Sequence, residues 1–191
     1  EQNLGSNNTG VGSSALTANT SGAQNTGFGS GALFTNTTGN DNAAVGVNAL
    51  LSNTSGQNNN AFGRSALSAN TTGGNNVAFG RYALQANTTG STNLAAGNNS
   101  LYTNTTGVNN VALGHNALNL NTTANANIAV GAGTLAANTT GASNIGVGHE
   151  ALNRNTTASN NVAVGYAALD HNTTGGDNSA LGYAALTSNI G

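Results

Sequence analysis

From Gln2 to Ser188 the sequence repeats every 17 residues, without insertion or deletion. A short unit of this kind cannot bury an apolar face alone, so a fixed period dictates stacking before any local propensity is considered. The eleven units are 2–18, 19–35, 36–52, 53–69, 70–86, 87–103, 104–120, 121–137, 138–154, 155–171 and 172–188. One unit reads Asn70-Thr71-Thr72-Gly73-Gly74-Asn75-Asn76-Val77-Ala78-Phe79-Gly80-Arg81-Tyr82-Ala83-Leu84-Gln85-Ala86, and the next opens at Asn87. With the first Asn as position one, position seven is always Asn: Asn8, Asn25, Asn42, Asn59, Asn76, Asn93, Asn110, Asn127, Asn144, Asn161 and Asn178. Position fifteen is always Leu: Leu16, Leu33, Leu50, Leu67, Leu84, Leu101, Leu118, Leu135, Leu152, Leu169 and Leu186. Position eleven is always Gly, position nine is Ala or Gly, and position ten is apolar from Val11 to Leu181.

Asn (37), Gly (28) and Thr (26) dominate the composition, which on its own would suit a disordered tract. Disorder gives no reason to keep a Leu every 17 residues, so the period overrules it. Only 4% of residues are charged, against about 25% in ordinary domains. Three Arg without Lys make no basic surface for nucleic acid. The absence of Cys excludes disulfides and thiolate metal sites. No apolar run approaches the ~20 residues of a bilayer span, so no membrane insertion is expected within this chain. The chain opens at Glu1 rather than Met, which reads as a processed protein or an excised piece.

Positions seven to eleven, as in Asn-Val-Ala-Val-Gly, alternate and are rich in β-branched residues, which predicts a short strand. Positions thirteen to sixteen, as in Tyr82-Ala83-Leu84-Gln85, are compatible with a second. Asn-Thr-Thr-Gly is a turn signature, with Asn tolerating left-handed dihedrals and Gly supplying positive φ. Two strands and two turns in 17 residues make one rung of an all-β parallel solenoid, a β-roll of eleven rungs forming a single repeat domain. Rungs spaced by roughly 4.8 Å put each position above itself. Leu at position fifteen then fills an interior column, Asn at position seven builds an amide ladder, and Gly at position eleven marks a corner. The residues do not fix the hand, nor whether positions eight and ten face inward. If outward, they form an apolar stripe that demands a partner, and Thr9, Thr26, Asn60 and Ser179 at position eight suit an interface better than a sealed core.

The segments Asn161-Val162-Ala163-Val164-Gly165-Tyr166-Ala167-Ala168-Leu169-Asp170 and Asn178-Ser179-Ala180-Leu181-Gly182-Tyr183-Ala184-Ala185-Leu186 carry a more specific pattern. They resemble the repeats of trimeric autotransporter adhesin heads, the YadA-like head family, with their Asn-Ser-x-Ala-x-Gly-x-x-Ser/Ala motif. The Asn-Thr-Thr-Gly element also resembles repeat shafts of tail-fibre-like bacterial surface proteins. The resemblance implies a left-handed parallel β-roll, side-by-side packing of three chains and a bacterial surface location. The adhesin-head repeat is shorter, near fourteen residues, so one turn here is enlarged, and these residues include no neck, heptad stalk or anchor segment.

Sites for chemistry are sparse. His115 and His149 share position twelve but stand two rungs apart, roughly 10 Å, too far for one zinc, and His171 is at position seventeen. Arg64 and Arg81 stack at position twelve, as do Tyr166 and Tyr183, so that position is expected to face solvent. Asp41 and Asp177 lie eight rungs apart, and Glu150 and Asp170 occupy different slots, so no paired-acid site is expected. Gly27-Phe28-Gly29-Ser30-Gly31 imitates a phosphate loop, but no helix signal follows it. No catalytic residue, metal or cofactor is expected.

Asn-Thr-Thr/Ser recurs ten times and is formally a glycosylation acceptor, although the turn alone accounts for it. Glycosylation or surface binding would fall on Asn36, Thr37, Thr38, Asn70, Thr71, Thr72, Asn104, Thr105, Thr106, Asn138, Thr139, Thr140, Asn172, Thr173 and Thr174. Stacked Thr pairs could alternatively present a hydroxyl and methyl array to ice. The expected function is that of a non-catalytic structural or adhesive block of an extracellular or cell-surface fibre. It would self-associate side by side as a homotrimer, or head to tail with Leu4 and Ile190 as apolar contacts, and a host surface or glycan would be a further partner. A phage-like tail-fibre shaft and an ice-binding solenoid are the alternatives.

Overall fold

The computed structural model describes residues 5–189. Eleven three-residue strands carry positions eight to ten: β1 (Thr9–Val11), β2 (Thr26–Phe28), β3 (Ala43–Val45), β4 (Asn60–Phe62), β5 (Val77–Phe79), β6 (Leu94–Ala96), β7 (Val111–Leu113), β8 (Ile128–Val130), β9 (Ile145–Val147), β10 (Val162–Val164) and β11 (Ser179–Leu181). They form one parallel sheet in sequence order, and every strand pairs with the next at a constant offset of one unit, as in Val77↔Leu94. The chain is therefore a parallel β-solenoid with one rung per repeat. Leu4 and Ile190 lie outside the described residues.

Positions thirteen to sixteen do not form the second strand that their composition allows. They are turns in which positions thirteen and fifteen are left-handed, with φ 62° at Tyr82 and 52° at Leu84. The Ala83 N–H closes back on the Gly80 carbonyl, and the Asn87 N–H on that of Leu84. Bonds between rungs persist through the turn: Leu84 N–H donates to the Ser100 carbonyl and Ala86 N–H to that of Tyr102. Backbone pairing thus surrounds the rung without a second sheet.

All eleven Leu of position fifteen have φ between 49° and 55°. A left-handed residue with a Cβ costs about 1–2 kcal/mol, whereas burying Leu contributes roughly 1.5–3 kcal/mol. Burial offsets the strain, because Leu33 to Leu169 are wholly buried in one column. The same conformation explains why Leu holds the slot in every rung, since β-branched Val and Ile are disfavoured there. Thr92, on the solvent side, is the one β-branched residue with positive φ among the described residues.

The rest of the core is narrow. Among the described residues its apolar cluster contains only Leu and Ala, the Ala coming from positions nine and fourteen. Size is matched between rungs: Thr134 replaces the usual Ala of position fourteen, and Gly146 replaces the Ala it would meet. A Cβ on Gly146 would lie 2.6 Å from Thr134 Cγ2.

Two amide ladders close the other side of the core. At position seven, Asn93 donates its backbone N–H and its Nδ2 to Asn76 Oδ1 (3.0 and 3.2 Å) and Nδ2 again to the Gly107 carbonyl (2.8 Å). Its own Oδ1 accepts the same pair of bonds from Asn110. Position one forms a second ladder, which its turn signature conceals. Asn87 Nδ2 donates to Asn70 Oδ1 and to the Gly90 carbonyl, and Asn104 donates to Asn87 in turn. None of the position-one Asn residues is left-handed, and neither is the Gly of position four. That Gly contributes its carbonyl instead: Gly90 O accepts from both Asn87 and Asn76, which ties the two ladders together.

Candidate functional site

The strand pleat decides which residues reach the surface. Position nine points into the core, where Ala44, Ala61, Ala78, Ala95, Ala112, Ala129 and Ala163 are wholly buried. Positions eight and ten therefore point outward, settling the orientation that the residues alone left open. Phe28 is 55% exposed, Phe79 46% and Val11 46%. The outward face is apolar at all eleven position-ten sites and at seven position-eight sites, including every rung from Val77 to Val162. Three of the four Phe lie here, and Phe62 stacks flat on Phe79 with ring centroids 4.8 Å apart. The usual arrangement is inverted: Ala fills the inside of the sheet, while Val, Ile and Phe cover the outside.

Beside this face, position twelve is solvated, as its like-charged neighbours require. Arg64 and Arg81 are both exposed. The Arg81 guanidinium lies 4.4 Å from the centroid of the Tyr82 ring and donates to its hydroxyl at 3.0 Å. That hydrogen bond and the positive charge hold the Tyr82 phenol below its ordinary pKa. Tyr102 meets Tyr82 edge-on. Further along, His149, Tyr166 and Tyr183 form a stacked column with centroid separations of 5.5 and 5.2 Å.

The remaining titratable groups are dispersed. His149 pairs with Glu150 at 3.7 Å, and His171 with Asp170 at 3.3 Å. Asp170 also stands 4.0 Å from Arg154, so Glu150 and Asp170 face separate partners. Among the described residues no three His, Asp or Glu come together in a group able to hold a metal ion. Gly27 points inward and Phe28 outward on β2, so the Gly27–Gly31 segment is ordinary rung rather than a phosphate cradle.

The Asn-Thr-Thr segment divides its three side chains by depth. Asn36, Asn70, Asn104, Asn138 and Asn172 are wholly buried. The Nδ2 that would carry a glycan is already bonded to an Asn oxygen and to a position-four carbonyl. A sugar there would replace one of the two Nδ2 protons, lose one of these bonds and have no room at a wholly buried side chain, so the folded rung has no acceptor at these Asn. The first Thr turns its hydroxyl into the wall: Thr37, Thr71, Thr105 and Thr139 each donate to the carbonyl of the Thr one rung on. Thr20 is exposed in the first of these segments; from Thr37 onward only the second Thr, as in Thr38, Thr72, Thr106, Thr140 and Thr174, is exposed. The expected paired array is thus a single outward column on a bend, not a two-rank flat face.

The surface feature with the most consistent chemistry along the rod is the outward apolar sheet. No family model matches the sequence, and no curated protein or solved structure matches it either.

Proposed function

We propose that the chain is a non-catalytic structural building block of an extracellular or cell-surface fibre, serving as a stiff spacer or adhesive rod. The observation that carries this reading is the unbroken register of eleven rungs, in which Asn, Gly and Leu each keep one slot throughout. Such a stack transmits load along its axis through bonds repeated at every step. Those bonds are backbone pairs and neutral amides, which salt does not screen as it screens ion pairs. With so few charged groups, stability should be nearly independent of pH and ionic strength, which would suit an element outside the cell. The resemblance of the repeat to adhesin heads and tail-fibre-like shafts supports the same location, and implies that chains assemble side by side.

Location is the test. Immunogold labelling of intact source cells, with antibody raised to the purified chain, should decorate filaments outside the envelope. Label confined to the cell interior would reject the reading.

A further inference from the structure

We propose that Arg64 and Arg81 together form a binding site for a phosphate monoester on the solvent side of the fourth and fifth rungs. The site goes beyond the fibre reading and does not depend on it. Both residues occupy position twelve of adjacent units, so one stands above the other at roughly 4.8 Å along the axis. The Tyr82 N–H donates to the Arg64 carbonyl at 3.0 Å, which fixes the two rungs in register at this point. Like charges held one rung apart repel, and nothing in the chain relieves them. No Asp or Glu occurs between Asp41 and Glu150, and Asp41 lies at position six, before the strand rather than after it. Among the described residues every ion pair falls between His149 and His171. The neighbours of the pair in its own column, Val47 and Asn98, are uncharged.

The arrangement is also prepared for a ligand. The Arg81 guanidinium lies over the Tyr82 ring and donates to the Tyr82 hydroxyl, and Tyr102 braces that ring edge-on with centroids 6.3 Å apart. One planar fork is thereby held in place before binding, which lowers the ordering cost of capture. The Tyr82 phenol feels the charge of Arg64 as well as that of Arg81, so both guanidinium groups stand near one point. Charge chooses the anion. A phosphate monoester carries about −1.5 to −2 near neutral pH and three acceptor oxygens, enough to engage two guanidinium groups at once. A sulfate ester or a carboxylate carries a single negative charge and would leave much of the repulsion in place.

Nuclear magnetic resonance of the full chain tests the site, with methyl phosphate and methyl sulfate as probes and the Tyr82 ring as reporter. Methyl phosphate should shift the Tyr82 and Tyr102 ring signals saturably. It should also raise the Tyr82 phenol pKa towards its ordinary value, because the bound anion competes for the Arg81 donor and offsets the two positive charges. Methyl sulfate at the same ionic strength should bind at least tenfold more weakly. Arg64→Gln removes one fork from an exposed side chain, and should cost at least tenfold in affinity while keeping the β-sheet circular dichroism. Arg154→Gln, on the ninth rung, should leave binding unchanged. Vesicles containing phosphatidic acid separate the sources of the group. Co-sedimentation that Arg64→Gln abolishes identifies a lipid headgroup, whereas methyl phosphate binding without vesicle binding identifies a soluble ester. Absence of a saturable shift at Tyr82 in the native chain overturns the proposal. So does equal affinity for the two probes, or an Arg64→Gln chain that binds like the native one. None of these results bears on where the chain resides, so this site and the fibre reading fail separately.

Discussion

Gly80→Ala is expected to destabilise the rod by about 3–5 kcal/mol, combining a backbone conformation open essentially to Gly with a steric clash. Gly80 has φ 130°, and a Cβ there would lie 2.6 Å from the Gly97 carbonyl oxygen of the next rung. The clash is with backbone, which cannot swing aside as a side chain can, and it recurs along the position-eleven column. Gly73→Ala in the same rung is the control. A Cβ there would lie 2.3 Å from the Gly90 carbonyl oxygen, at least as tight a meeting as at Gly80, but Gly73 has an ordinary φ, so the pair isolates the cost of the backbone conformation. Ala124 and Ala158 occupy the same position four elsewhere in the chain and remain buried. The cost at Gly73 should therefore be about 1 kcal/mol, near that of a weakened hydrogen bond. Thermal unfolding of the two variants side by side distinguishes them. Because each rung contacts only its neighbours, the Gly80 variant should melt in two phases as the stack divides.

Asn93→Asp should cost a comparable amount at neutral pH and, unlike the native chain, should become strongly pH-dependent. The amide of Asn93 donates to Asn76 Oδ1 and to the Gly107 carbonyl. A carboxylate offers neither proton and turns its own charge toward both oxygens. An uncompensated buried charge of this kind costs roughly 3–5 kcal/mol. Burial and the facing oxygens raise the folded-state pKa above the unfolded value of about 3.9. The sign follows from linkage: the folded state binds the proton more tightly, so stability relative to the native chain falls as pH rises above about 4 and levels off past the folded pKa. Denaturant midpoints at pH 4 and pH 7 should diverge for the variant and nearly coincide for the native chain. Equal losses at both pH values would mean that position seven is open to water.

Much of this architecture is legible in the residues because stacking makes each slot a repeated physical experiment. The Leu column, the position-seven ladder, the Gly corner and the solvated position twelve all follow from what eleven rungs tolerate. Three features were harder to read. Tyr82 and Leu84 adopt left-handed conformations that usually announce themselves through Gly or Asn, so positions thirteen to sixteen read as a strand. The position-one ladder was hidden behind a sequence that is also a turn signature, and Gln2 in the first unit breaks its invariance. The outward sheet face reverses the usual rule of large apolar residues inside. Its signs were the restriction of position nine to Ala and Gly and the presence of Thr, Ser and Asn at position eight.

The central claim is that neutral amide ladders inside the wall hold the rod together, and side-chain hydrogen exchange tests it most directly. Nuclear magnetic resonance can follow the Nδ2 protons of the Asn residues individually. Those of Asn76, Asn87, Asn93 and Asn104 should be protected as strongly as the backbone amides of β5 and β6, since each is buried and bonded on both sides. The exposed Asn58, Asn75 and Asn109, one position before the ladder, provide the comparison in the same sample and should exchange freely. Exchange of the ladder amides at the rate of those exposed neighbours would contradict the account.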